Sequence, residues 1–180
     1  MSSIPFELAG PTPKALVMLL LLTVAVPAAI TAIALKTAGA LDLASGNTVL
    51  ISVTVVSLVV FVTLAVAAVR KRIEIVPSGL SVRSSFYSVF VEKAAVRAAE
   101  IRTLDCKQDP TYALTLRTNG ISMPGFQSGW FRTKGAGPAF VARNQSACVV
   151  VPTTKGFSLI LGVGDTDAEA ASRSLKELLA

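Results

Sequence analysis

The amino-acid sequence predicts an α+β membrane protein: a hairpin of two transmembrane helices, then an antiparallel β-barrel or sandwich capped by a C-terminal α-helix. Three observations predict it. Two uncharged apolar runs of bilayer length stand back to back near the N-terminus. Apolar and polar residues then alternate with period two from Ile73 to Leu161. The end of the chain switches to helical spacing behind an N-cap motif.

The first run covers residues 15–35, between Lys14 and Lys36, and the second covers residues 47–69. At about 1.5 Å of rise per residue each exceeds the roughly 30 Å of a bilayer core. The chain is 52% hydrophobic with a mean hydropathy of +0.64. That excess lies in the first 69 residues, and the rest is ordinary in composition. Three cations, Arg70-Lys71-Arg72, stop the second run, while the loop between the runs has one Lys and one Asp. Positive residues beside a span stay in the cytoplasm. The expected layout is a cytoplasmic tail (1–14), a first helix (15–35), an exterior loop (36–46), a second helix (47–69), a basic cytoplasmic flank (70–72) and a soluble domain (73–180). Both termini are then cytoplasmic. A rival reading takes the first run as a cleaved leader ending at Ala38-Gly39-Ala40. Leader cores are usually about 7–15 residues long, and acidic Glu7 sits in the would-be positive region, so two spans are the expectation. Pro27 should kink the first helix. Ala25, Ala28, Ala29 and Ala32 give small-residue spacing that permits close helix approach. No charge lies within either run, which argues against a channel or transporter made of this chain alone.

Strands are expected where Ile73 and Ile75 flank Glu74, where Leu80 and Val82 alternate with Ser81 and Arg83, at Tyr112, Leu114 and Leu116, and at Phe157, Leu159 and Leu161. Turn chemistry separates them at Pro77-Ser78-Gly79, Asn119-Gly120, Lys134-Gly135 and Lys155-Gly156. Residues 94–100 suit either a short helix or a strand and turn. Thr166-Asp167-Ala168-Glu169 is a capping box, with Asp165 and Asp167 at the positive helix end. Ala171, Leu175, Leu178 and Leu179 share the face that packs on the sheet, and Arg173 and Lys176 face water. About seven strands and one helix result.

Charge and side-chain chemistry narrow the function. Half of the net charge of +6 sits at Arg70, Lys71 and Arg72. From Ile73 onward there are twelve basic and nine acidic residues, too mild for a nucleic-acid footprint. Histidine is absent, which removes the commonest general base and metal ligand. Cys106 and Cys148 have no metal-like spacing, and in the cytoplasm they should be thiols. Cys148, before Val149-Val150-Val151, reads as a small buried apolar residue. No Gly-x-Ser-x-Gly or Walker loop occurs, and Gly162-Val163-Gly164 reads as a strand-to-helix turn. No catalytic, cofactor-binding or metal-binding residues are expected. The candidate lipid or partner contacts are Arg70, Lys71, Arg72, Trp130, Arg132, Lys134, Arg143 and Lys155. For Trp130 the competing reading is a core aromatic, and for the scattered cations it is ordinary solvated charge.

A resemblance adds to this reading. It is carried by Pro124-Gly125-Phe126, Gly129-Trp130-Phe131-Arg132, Gly135, Ala139-Phe140-Val141, Val149-Val150-Val151-Pro152-Thr153 and Gly156-Phe157-Ser158-Leu159-Ile160. More loosely, it extends back over Ile73-Glu74-Ile75, Ser78-Gly79-Leu80 and Glu100-Ile101. The chain resembles the bacterial pleckstrin-homology domain family, often found behind one or two membrane spans. The resemblance implies a barrel closed by a C-terminal helix and a bacterial inner membrane, but no activity. Relatives that bind phosphoinositides use a basic first strand–strand loop, whereas here Pro77-Ser78-Gly79 has only Arg83 soon after. The leading expectation is a non-enzymatic, membrane-anchored protein that binds a membrane or cytoplasmic protein, or another copy of itself, at a sheet edge or groove. The alternatives are a module sensing anionic lipid headgroups and an accessory subunit of a transport or envelope complex. Partners are thus the bilayer and a protein, not nucleic acid.

Overall fold

A computed structural model describes residues 8–39, 44–105, 108–144, 147–163 and 167–179. Residues 13–67 form one compact unit, and the described residues on either side of them form a second.

The first unit is helical. α1 (Pro13–Leu20), a π-helical turn (Leu21–Ala25) and α2 (Val26–Thr37) follow one another without a break, and α3 runs from Ala44 to Val69. The π turn is the local response to Pro27. A proline ring has no N–H for the carbonyl four residues earlier and collides with it. The ladder widens instead, and the Val26 N–H reaches back five residues to the Leu21 carbonyl. Two stretches are long and apolar enough to cross a membrane, Pro13–Thr37 and Gly46–Val69, with mean hydropathies of 2.6 and 2.8. The most apolar window of each is 0% buried, unlike the core helix of a soluble protein. Ile33 and Ile51 are each 64% exposed. A helix that is apolar on every side needs apolar surroundings. Thr23, Thr31, Ser52, Thr54 and Thr63 each donate their hydroxyl to the carbonyl one turn back. Their polarity is thereby satisfied within the helix, as an oily environment requires. The link between α2 and α3 is shorter than the expected 36–46, and its residues 40–43 lie outside the described set.

The second unit contains nine strands among its described residues, where about seven were expected. β1 (Lys71–Val76), β2 (Gly79–Ser84) and β3 (Tyr87–Glu92) form an antiparallel meander. The other six are β4 (Arg102–Asp105), β5 (Leu114–Met123), β6 (Phe126–Thr133), β7 (Pro138–Arg143), β8 (Ala147–Pro152) and β9 (Ser158–Gly162). They form a sheet in the order β4-β8-β9-β7-β6-β5. This sheet does not close into the expected barrel, nor is it wholly antiparallel. β9 slots between β7 and β8, pairing parallel with β7 and antiparallel with β8. The end of β7 passes so close to the end of β9 that a Cβ at Gly162 would lie 2.8 Å from the Arg143 Cα. Residue 162 is therefore the end of a strand that only glycine can occupy; of the expected strand-to-helix turn 162–164, Gly164 lies outside the described residues.

Both faces of β7, β8 and β9 are buried. Phe140, Val149, Val151, Leu159 and Leu161 pack with Leu80, Val82 and Val91 of the meander and with Ala171, Leu175 and Leu179 of α4 (Ala168–Leu179). Val141, Cys148, Val150 and Ile160 pack with Tyr112 and Phe131 on the opposite face. Two-sided burial explains why these strands are near-continuous apolar runs. The half-buried pattern expected for Leu159 and Leu161 is therefore incomplete, because Ser158 and Ile160 are buried as well.

Four local expectations are corrected. Asn119-Gly120 is no turn; it lies within β5, opposite Trp130 and Gly129, and the turn falls at Pro124-Gly125. Gly120 faces Gly129, so two residues without side chains allow a strand crossing too close for any Cβ. Leu116 is 58% exposed because β5 is an edge strand with two register shifts. Tyr112 belongs to a 3-10 turn, Pro110–Tyr112, begun by the Asp109 carboxylate, which accepts the Thr111 N–H at 2.8 Å. Residues 94–100 are neither one helix nor one strand: two 3-10 turns, Lys93–Ala95 and Ala98–Glu100, flank a bridge from Val96 to Thr153.

Asp167 stands just before α4, and its carboxylate accepts the Glu169 N–H at 3.0 Å; Thr166 lies outside the described residues. Residues 8–12, before the first helix, belong to the β unit. Leu8 bridges Val163, the Ala9 N–H donates to the Gly162 carbonyl at 2.9 Å, and Leu8 is 2% exposed in the core.

Candidate membrane-surface interface

The two-residue turn at Pro77-Ser78 sets Val76 opposite Gly79. Counting back along the pair, Arg72 falls opposite Arg83 and Lys71 opposite Ser84. Opposed residues share a face: Arg72 and Arg83 take the solvent face, whereas Ser84 is buried on the same side as Leu80 and Val82. Arg72 spends part of its charge on Glu74 at 2.6 Å. Arg83 is exposed and has no carboxylate partner among the described residues.

The next turn, Ser85-Phe86, brings the second half of the site. The Ser85 N–H donates to the Arg70 carbonyl at 2.8 Å, tying the turn to the start of β1. Ser128 of β6 donates its hydroxyl to Ser84, with Oγ–Oγ at 2.9 Å and Oγ to the Ser84 carbonyl at 3.0 Å, which fixes the turn on the large sheet. Ser85 has φ 54°, a left-handed conformation that hairpins normally give to glycine or asparagine. Its Oγ is buried without a hydrogen-bond partner. Phe86 is 57% exposed. Between residues 70–72 on one side and Arg83 with residues 85–88 on the other lies a groove of about 420 Å³.

Of the residues expected at a contact site, Arg70, Lys71 and Arg72 line this groove and the others do not. Trp130 is half-buried, edge-to-face with Phe140 at 5.4 Å and Phe157 at 5.2 Å, as its core reading expects. Arg132 is exposed on β6, and Lys134 is exposed in the bend that follows. Arg143 Nε donates to Gln127 Oε1 at 2.7 Å. Lys155 pairs with Glu92 at 2.8 Å. Arg83, Ser85 and Phe86 were not among the expected contacts. Strand register reveals Arg83 once the Pro77-Ser78 turn is fixed; nothing in the sequence marks Ser85 or Phe86.

Lys155 holds the Glu92 carboxyl below its ordinary range, by hydrogen bond first and charge second. The pair's contribution is therefore present above the unfolded carboxylate range and disappears as pH falls through the lowered folded value. Lys155→Ala is expected to return the Glu92 midpoint to the ordinary range in a side-chain NMR titration, and an unmoved midpoint would refute the pairing.

A second cavity, of about 490 Å³, lies beside the Ala98–Glu100 turn. Its arginines already have partners. Arg97 is 3.5 Å from Glu100, and Arg102 lies over the Tyr112 ring with Nη2 3.4 Å from the hydroxyl. Among the described residues no three His, Cys, Asp or Glu side chains gather. Cys148 is buried in β8, and Cys106 and Asp165 lie outside the described residues. The chain matches no protein-family model, no curated protein and no solved structure.

Proposed function

We propose that this protein is a membrane-anchored binding module, working by contact rather than catalysis at the inner face of a bacterial membrane. One observation carries the reading: the apolar helical unit leaves from and returns to the same β unit with no spacer. Thr12 ends the described N-terminal stretch of the β unit and Pro13 begins α1; α3 ends at Val69 and β1 begins at Lys71. With Leu8 anchored in the β core, both ends of the helical hairpin lie on one side of any bilayer it crosses. Arg70, Lys71 and Arg72 favour the cytoplasmic side. A tether this short keeps the β unit at the surface. The pleckstrin-homology-like reading enters here through the α+β composition and the C-terminal helix packed on the sheet.

A protein partner, or a second copy, remains part of the proposal because Leu116 and Phe90, on edge strands β5 and β3, are 58% and 47% exposed. Sheet edges accept extended segments, although the register shifts in β5 blunt its edge.

Reporter fusions at both termini test the topology. Both are expected inside, with the chain retained in vesicles at alkaline pH. An external signal from either terminus, or release into the carbonate wash, would overturn the reading.

A further inference from the structure

We propose that the groove between residues 70–72 and the Ser85-Phe86 turn seats the phosphate of an anionic glycerophospholipid. The inference rests on the membrane reading above and names that surface's ligand.

Charge comes first. Arg72 and Arg83 stand directly opposite on one face, and like charges so placed repel. Of the two, Arg72 has a carboxylate neighbour, Glu74, and Arg83 has none among the described residues. An anion between the two guanidiniums turns a repulsive pair into a clamp, and guanidinium suits phosphate oxygens geometrically.

Hydrogen bonding comes second. The Ser85 hydroxyl is buried without a partner, which costs free energy unless something accepts its proton. Turned toward the groove that Ser85 lines, the hydroxyl would find such an acceptor in a phosphate oxygen. Ser85 is also held at φ 54°, the one described non-glycine residue with positive φ. Local strain of this kind persists where the surroundings impose it, and binding sites are common places for it.

Position comes third. Arg70 directly follows Val69, the last residue of α3, so the cations stand where a spanning helix meets the headgroups. Phe86, exposed beside them, suits the apolar layer just beneath the phosphates. The volume of about 420 Å³ is ample for a phosphate and its glycerol. Soluble phosphate would satisfy the clamp, but it would leave Phe86 and the adjoining helix end unused.

The test uses the full chain in nanodiscs containing equal phosphatidylcholine and phosphatidylglycerol, with retained lipid counted by native mass spectrometry. The wild type should keep one phosphatidylglycerol in clear preference to phosphatidylcholine. Arg83→Gln and Ser85→Gly should each reduce that preference roughly tenfold, the scale of one lost hydrogen bond to a charged group. Ser85→Gly is the sharper variant, because glycine suits φ 54° and should leave the fold equally or more stable. Lipid loss without loss of stability therefore points to the hydroxyl. Equal retention of both lipids, unchanged retention in both variants, or full displacement by millimolar inorganic phosphate would overturn the proposal. Carbonate extraction from neutral vesicles is run in parallel. Resistance there with no lipid preference sinks the groove alone, and release sinks the membrane reading with it.

Discussion

Alanine at Gly129 is expected to cost the β unit at least about 3 kcal/mol, enough to lower its Tm by more than roughly 10 °C. Gly129 adopts φ +115°, and a Cβ there would lie 2.5 Å from the Asn119 carbonyl oxygen and 2.6 Å from the Gly120 Cα. Both are backbone atoms, so no side-chain rotation relieves the collision. β5 and β6 would have to separate where they cross most closely, exposing the Phe131 side of the sheet. Gly137→Ala is the control. Its φ is +74° and nothing lies within 4 Å of the added Cβ, so it should cost only the left-handed backbone penalty of about 1–2 kcal/mol. Trp130 is the chain's single tryptophan and packs on Phe140 and Phe157. Its fluorescence in a thermal melt of the detergent-solubilised chain therefore reports the β unit. Similar losses in the two variants would remove the close-crossing argument.

Leu8→Ala should have the next largest effect, about 2–4 kcal/mol. Leu8 is 2% exposed, lies in the main core cluster and bridges Val163. Truncating it leaves a cavity and weakens the N-terminal stretch that closes against the end of β9. Ile33→Ala, at a position 64% exposed in α2, should leave the Trp130 melt unchanged. The same result bears on the leader reading, because cleavage after Ala40 would remove Leu8 from a core that contains it. A Leu8→Ala protein that melts with the wild type would show that the segment before α1 contributes nothing to the β unit.

Much of the fold could be read from local chemistry. The apolar runs gave the helices because helix rise and bilayer thickness are fixed lengths. Pro77-Ser78 gave the first hairpin because a two-residue turn dictates its own register. The spacing of Ala171, Leu175 and Leu179 gave the buried face of α4. What stayed hidden depended on distant partners. Asn119-Gly120 has turn chemistry, but Gly129 lies opposite Gly120 and the strand runs straight through. Leu116 keeps the alternation of a buried strand, yet it is exposed on an edge strand. Leu8 ends a short Ile4-Phe6-Leu8 alternation beside a proline, and only Val163, far along the chain, makes it core. The candidate groove divides the same way. Arg70, Lys71 and Arg72 announce themselves as a run, Arg83 follows from hairpin register, and the strained backbone and orphaned hydroxyl of Ser85 exist only in three dimensions.

Because β9 lies between β7 and β8, those two strands cannot zip together as they emerge from the ribosome; each must wait for the strand made last. Leu8 waits longest. At about 5–20 residues per second, it leaves the ribosome on the order of ten seconds before its partner Val163 exists. The helical hairpin is complete well before that moment, so under the proposed membrane reading insertion has a head start over β folding. The stretch around Leu8 would then act as the clasp, closing the β unit only after the proposed anchor is set.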